Sequence, residues 1–348
     1  MQLPNRWPAL DGLRAVAVCA VVLTHTWVSQ FPGGWIGVDL FFVLSGFLIT
    51  GVLLREHGEP GTISLLHFYR RRAVRLLPAV LVMLPVVVIA AYLFRPDVAL
   101  ATLRMAIFTV AYSANWFAAS HQSTGLLSHT WSLSVEEQFY LVWPMLLILM
   151  LRWHGARLAL VLTIVCIVAV VIHRTMVAQT VNPQDAQLFW RTDTRVDSIL
   201  VGCALCLAWS LGWKGSERFW RTTALIGAAY MAALLPTAYN TGGWNYTIGY
   251  TVLALAAASV VGAVAVHPWR RLVHVLSWTP LVRLGKISYA VYLWHFPIAV
   301  LLPVGSGPVL ALATLAMSVL VAEVSWRFVE RPAQRWRSPR SALRPVAA

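Results

Sequence analysis

The chain has 348 residues, 59% hydrophobic and 11% charged, whereas a soluble domain carries about 25% charged residues. Its mean hydropathy is +0.70, which excludes a soluble globular enzyme and describes a polytopic membrane protein without a sizeable soluble domain. The net charge of +14 would suggest a polyanion partner in a soluble protein; in a membrane chain it points to cytoplasmic loops instead, and no nucleic acid is expected.

A spanning helix needs about 20 apolar residues. Apolar runs fall at 9–29, 35–54, 76–94, 98–118, 134–151, 158–173, 196–212, 222–238, 247–266, 287–303 and 309–328. The first keeps Asp11, Arg14 and His25 and lacks a small-residue cleavage site, so it reads as the first helix and not as a removed signal peptide. The run at 98–118 holds Arg104 and Asn115, both costly in mid-bilayer. If that run enters and leaves on one side, 21 of the 27 Lys and Arg fall inside and five outside, with Arg14 within the first helix. If it crosses, the Arg-rich tail lies outside, against the positive-inside rule. The expectation is an all-α membrane protein of about ten transmembrane helices, a re-entrant or interfacial lid-like piece near 98–118, and both termini cytoplasmic. Residues 1–332 form the membrane domain and 333–348 a mobile basic tail. Cys19, Cys166, Cys203 and Cys206 all sit in apolar stretches and act there as small hydrophobes. Cys203 and Cys206 have no second pair or neighbouring His, so no metal is expected.

Ionisable residues inside a membrane are functional candidates. Arg14 and His25 are eleven residues apart, about three helical turns, and share one face about 16 Å apart. His25 is a candidate general base, or an interfacial histidine held by a backbone carbonyl. Arg71, Arg72 and Arg75 converge at the start of the third helix, where guanidinium groups suit phosphate oxygens or anchor the helix to anionic lipid. In Ser134-Val135-Glu136-Glu137 the Ser134 and Glu137 spacing fits a capping box. That leaves Glu136 free to support a histidine, either His25 or His129. Arg195 and Asp197, two apart, require separate partners; Asp39 and Ser45 add polarity to the second helix. Ser288, Tyr292 and His295 share a face, and Pro297 is expected to kink the helix beyond them. Glu323 and Arg327 read as a structural ion pair.

Five segments in order resemble the acyltransferase-3 family of integral-membrane O-acyltransferases. They are Leu10-Asp11-Gly12-Leu13-Arg14 with His25, Gly37-Val38-Asp39-Leu40-Phe41-Phe42 through Ile49, Arg72-x-x-Arg75, Trp131 through Tyr140, and Ser288-Tyr289 through His295-x-Pro297. The resemblance runs from Leu10 to Pro332, and Arg14, His25, Arg72 and Arg75 match the family's functional positions. Some members carry an extra extracytoplasmic hydrolase-like domain; the short stretch after Glu330 leads to the expectation of a standalone form. The resemblance implies transfer of an acyl group, usually acetyl from acetyl-CoA, to a hydroxyl of a sugar, glycan or glycosylated small molecule such as a macrolide. His25, Glu136 and Arg14 are then the catalytic candidates and Arg71, Arg72 and Arg75 the acyl-CoA ligands. Asp39, His129, Arg195, Asp197, Tyr292 and His295 bind substrate or support the site. Acyl-CoA enters as co-substrate, a homo-oligomer is left open, and the location is the inner (plasma) membrane of a bacterium. A transporter or flippase for a glycan or amphiphile is the alternative, and the absence of paired repeats speaks against it.

Overall fold

A computed structural model of the chain describes residues 7–58, 64–120, 123–182 and 186–336, the side chains of Arg335 and Trp336 excepted. Arg6 and the tail from residue 337 onward, both used in the charge argument above, lie outside the described residues. Within them the chain is helical and has no strand. The helices are α1 (Pro8–Thr26), α2 (Ile36–Gly58), α3 (Leu65–Phe94), α4 (Pro96–Val110), α5 (Ala114–Ala119), α6 (Trp131–Ala178), α7 (Gln187–Trp190), α8 (Val196–Ser210), α9 (Glu217–Leu234), α10 (Tyr250–Ala265), α11 (Arg270–Leu276), α12 (Thr279–Lys286), α13 (Ser288–Leu301), α14 (Pro308–Ser325) and α15 (Arg331–Trp336). Six segments are long and apolar enough to cross a membrane, and a seventh is if α12 and α13, bent 72° to one another, count as one.

The starts of these helices follow local rules. Pro8 opens α1, where its missing N–H costs nothing. Ser64 and Ser216 cap α3 and α9 by accepting from the backbone N–H of His67 and Phe219. Helix α6 has 48 residues, about 72 Å if straight and more than twice the hydrocarbon thickness of about 30 Å. It does not run straight: Gly155 adopts φ 75°, ψ −172°, a conformation that glycine alone takes without cost. The break falls between the two apolar runs read at 134–151 and 158–173.

The 98–118 run is two helices, of 15 and 6 residues, separated at Tyr112, whose φ is 52°. Asn115 is buried there, donating to the Trp190 carbonyl and Thr192 Oγ and accepting from Gln138 Nε2. Helix α13 departs from expectation. It is continuous through Pro297, and the sharp bend precedes it at Ile287. Pro297 is tolerated because the carbonyl it leaves unpaired, that of Leu293 one turn earlier, is satisfied by His129 Nε2 at 3.0 Å.

Small residues set the closest crossings, as is usual where lipid gives helices no hydrophobic reason to associate. A Cβ on Gly46 of α2 would strike the Ile199 carbonyl of α8, and one on Gly202 of α8 would strike the Val43 carbonyl of α2. The two backbones therefore touch through a reciprocal glycine pair. This places Asp39, one face of α2, against Arg195 at the entry to α8.

Candidate active site

Three cavities follow α1 from Arg14 towards His25. The first, of about 160 Å³, is lined by Arg14, Ser45, Arg72, Arg75, Glu136, Glu137, Tyr140 and Tyr289 among others. Thr109 and Val110 at the end of α4, with Tyr112 just beyond it, supply part of its wall. A middle cavity of about 50 Å³ shares Arg14, Leu133, Glu136 and Tyr289 with the first and adds Ser132, Ser288 and Tyr292. The last, again about 160 Å³, shares Val38 and Tyr292 with the middle one and is lined by His25, His129, Trp35, Trp131, Phe189 and Tyr239. The eleven-residue spacing of Arg14 and His25 thus sets them on the first and last of three cavities whose neighbours share wall residues.

At the arginine end the basic residues divide. Arg71 turns to Glu56 in an ion pair and does not line the first cavity. Arg72 pairs with Glu137 at 3.0 Å and lies over the Tyr140 ring, 3.2 Å from its centroid. Arg14 and Arg75 have no ion pair among the described residues. Their charges stand close enough to oppose one another, with Asp11 partly offsetting that of Arg75. The capping box is not formed. Ser134 lies inside α6 and accepts from the Ala114 N–H at 3.1 Å, while Glu137 is taken by Arg72. Both are tertiary partners that local spacing could not report. Glu136 does not reach His25 or His129: it accepts from Ser45 and, at 3.3 Å, from the Tyr140 hydroxyl.

At the other end three histidines meet. His25 closes α1 with its Nδ1 2.9 Å from the Val21 carbonyl and 3.2 Å from His295 Nε2. His295 is fully buried, its Nδ1 2.6 Å from the Tyr292 carbonyl. His129 packs on His295 with ring centroids 5.3 Å apart. Phe296 covers His25 edge-on at 5.0 Å, yet His25 keeps an exposed face. Tyr292 stands where the middle and last cavities meet. Its hydroxyl is held by Ser132 Oγ at 2.6 Å and donates to the His129 carbonyl at 2.9 Å.

Asp39, Arg195 and Asp197 are fully buried and belong to a different assembly. Arg195 binds both carboxylate oxygens of Asp39, at 2.9 and 2.8 Å, and Ser198 adds a third bond. The Arg195 guanidinium lies 3.7 Å from the Tyr250 ring centroid, so the ring face covers it. Asp197 pairs instead with Arg174 at 2.9 Å, and Arg174 also donates to the Thr194 and Thr247 carbonyls. The separation of Arg195 and Asp197 into different partnerships follows from their spacing. Arg174 was missed by sequence reasoning; its position at the edge of an apolar run was the available signal. Ser45, Tyr140 and Tyr289 were missed as walls of the first cavity because hydroxyls in apolar helices carry no local signal of what they face.

The acyltransferase-3 family model, described as an acyltransferase domain, matches residues 7–326. The chain belongs to this family. It is 34% identical over 353 residues to the O-acetyltransferase OatA of Staphylococcus aureus (strain NCTC 8325 / PS 47), covering 96% of this chain and 58% of that protein. The peptidoglycan O-acetyltransferase OatA of Listeria monocytogenes is 34% identical over 353 residues, covering 94% and 56%. The putative peptidoglycan O-acetyltransferase YrhL of Bacillus subtilis is 35% identical over 347 residues, covering 93% and 54%. This acyltransferase-3 chain thus spans a little over half the length of these curated relatives. No solved structure matches it.

Proposed function

We propose that this family member is a membrane O-acetyltransferase that takes acetyl from cytoplasmic acetyl-CoA and delivers it to a sugar hydroxyl on the opposite side of the bilayer. The observation that carries the reading is the row of three cavities along α1, with Arg14 and Arg75, neither in an ion pair among the described residues, at one end and an exposed histidine at the other. Arg75 and Arg14 bind phosphate oxygens through charge-assisted bonds, and Arg72, oriented by Glu137 and Tyr140, supports them. A pantetheine arm extended past Arg14 reaches towards His25 over about 16 Å of helix. His25 takes the proton of the acceptor hydroxyl as its oxygen attacks the thioester carbonyl. The carbon–sulfur bond breaks, and the same imidazole returns the proton to the departing thiolate. The aromatic lining of the last cavity, with Trp35, Trp131 and Tyr239, suits the apolar face of a sugar ring. The peptidoglycan-directed names of two relatives make a glycan acceptor the first to try.

The same reading takes ten crossings: α6 counts twice across Gly155, and α8 and α9 join the longer spans, with α4 and α5 re-entrant. Both termini and the arginine end then face the cytoplasm. Purified protein with labelled acetyl-CoA and a panel of glycans and glycosylated compounds tests it. Acceptor-dependent CoA release with one acetyl adduct supports the proposal, and His25→Ala should abolish both while the protein still folds and binds acetyl-CoA. Normal turnover in that variant, or acceptor movement without CoA release, overturns it.

A further inference from the structure

We infer that His295, acting with the Val21 carbonyl, fixes the tautomer of His25, so that the bare nitrogen offered to the last cavity is Nε2. The inference rests on the reading of His25 as the base and adds a positioning residue from a different helix. A carbonyl oxygen can only accept, so a ring nitrogen bonded to one must carry its hydrogen. His295 Nδ1 lies 2.6 Å from the Tyr292 carbonyl and is therefore N–H. A neutral imidazole has one N–H, which leaves His295 Nε2 as a bare acceptor. That acceptor is 3.2 Å from His25 Nδ1, and the Val21 carbonyl is 2.9 Å from the same atom. The His25 Nδ1–H is shared between the two, and Nε2 keeps its lone pair.

The opposite tautomer of His25 would set its Nδ1 lone pair against two other lone pairs, those of Val21 O and His295 Nε2. When Nε2 takes a proton from the acceptor, Nδ1–H retains both of its acceptors, and the ring need not turn. Val21 is one turn back on α1 and comes with the helix; His295 comes from α13 and depends on the tertiary fold. His295 is fully buried, and with Phe296 it holds the His25 ring from two sides, at centroid distances of 5.1 and 5.0 Å. The third ring follows the same logic. Pro297 has no N–H to offer Leu293, so that carbonyl accepts from His129 Nε2, and this fixes the tautomer of the ring that packs on His295.

The test combines ¹⁵N-histidine spectra with kinetics on the full chain. In wild type, the His25 signals, assigned by their loss in His25→Asn, should show a protonated Nδ1 and a bare Nε2. His295→Leu, which leaves the Val21 carbonyl as the remaining acceptor, should let a fraction of His25 take the other tautomer and lower kcat roughly 10-fold or more, within the range for a positioned general base, with both KM values little changed. His295→Gln, which keeps an acceptor oxygen near the place of Nε2, should restore most of kcat and the wild-type spectrum. A proton on His25 Nε2 in wild type overturns the inference even if His295→Leu does not fold. So does full kcat in His295→Leu, or equal loss in the Gln and Leu variants, which would reduce His295 to packing. Loss of transfer in His25→Ala alongside any of these overturns the tautomer assignment only; transfer surviving in His25→Ala overturns the underlying reading of His25.

Discussion

Four arginines within reach of one membrane edge do different work because of the carboxylates opposite them. Arg71 and Arg72 are taken by Glu56 and Glu137, whereas Arg75 and Arg14 form no ion pair among the described residues, although Asp11 and Glu330 stand near enough to act on Arg75. Charge-assisted bonds contribute about 1.5–3 kcal/mol. Arg75→Ala should therefore raise the KM for acetyl-CoA by roughly 10-fold or more, by the same figure, with kcat less affected. Arg71→Ala should leave that KM nearly unchanged, because its partner is on α2 and not in the cavity. Steady-state kinetics with varied acetyl-CoA separates them, and equal effects would return the cluster to lipid anchoring. Pro297 acts at the same scale by leaving the Leu293 carbonyl for His129.

At the scale of elements, α2 and α8 approach to backbone contact at Gly46 and Gly202. Gly46→Val has no space to enter without separating the helices. Overpacking of this kind costs about 1–3 kcal/mol or more. Thermal unfolding in detergent should show lower stability for Gly46→Val, and activity should fall because Ser45, the partner of Glu136 and Tyr140, shifts with it. Gly155→Ala should cost less, since nothing approaches that position and only the positive φ opposes a side chain. If Gly155→Ala proved the more damaging of the two, close approach would not be what joins α2 to α8.

The whole molecule is pinned by two buried ion pairs, Asp39 with Arg195 and Arg174 with Asp197, which connect α2, the far end of α6, the entry to α8 and α10 through Thr251 and Tyr250. Removing one member of such a pair leaves a buried charge alone and costs about 3–5 kcal/mol. Asp39→Ala should lower the apparent melting temperature by several degrees and reduce activity with it. Val38, the next residue, lines both the middle and the last cavities, so their wall is displaced when α2 is. Asp39→Ala together with Arg195→Met should recover part of the stability, since an apolar pair replaces an unpaired charge. Recovery of stability without activity would separate the scaffold from the site, and no recovery would mean that Arg195 is held mainly by Tyr250.

Composition, hydrophobic period and charge placement determined the membrane class, the all-helical architecture, the break in α6 and the common face of Arg14 and His25, because each depends on residues a few positions apart. Spacing also separated Arg195 from Asp197. The tertiary structure alone decided which charges are paired and which are not, since Glu56, Glu137, Asp39 and Arg174 reach their partners from other helices. It moved Glu136 from a histidine to Ser45 and Tyr140, and it made His295 the neighbour of His25 across 270 residues of chain. An ionisable residue in an apolar run announces that it has work to do; whether that work is to hold the bundle or to face a cavity depends on the few ångströms separating it from an opposite charge, and sequence spacing does not contain that distance.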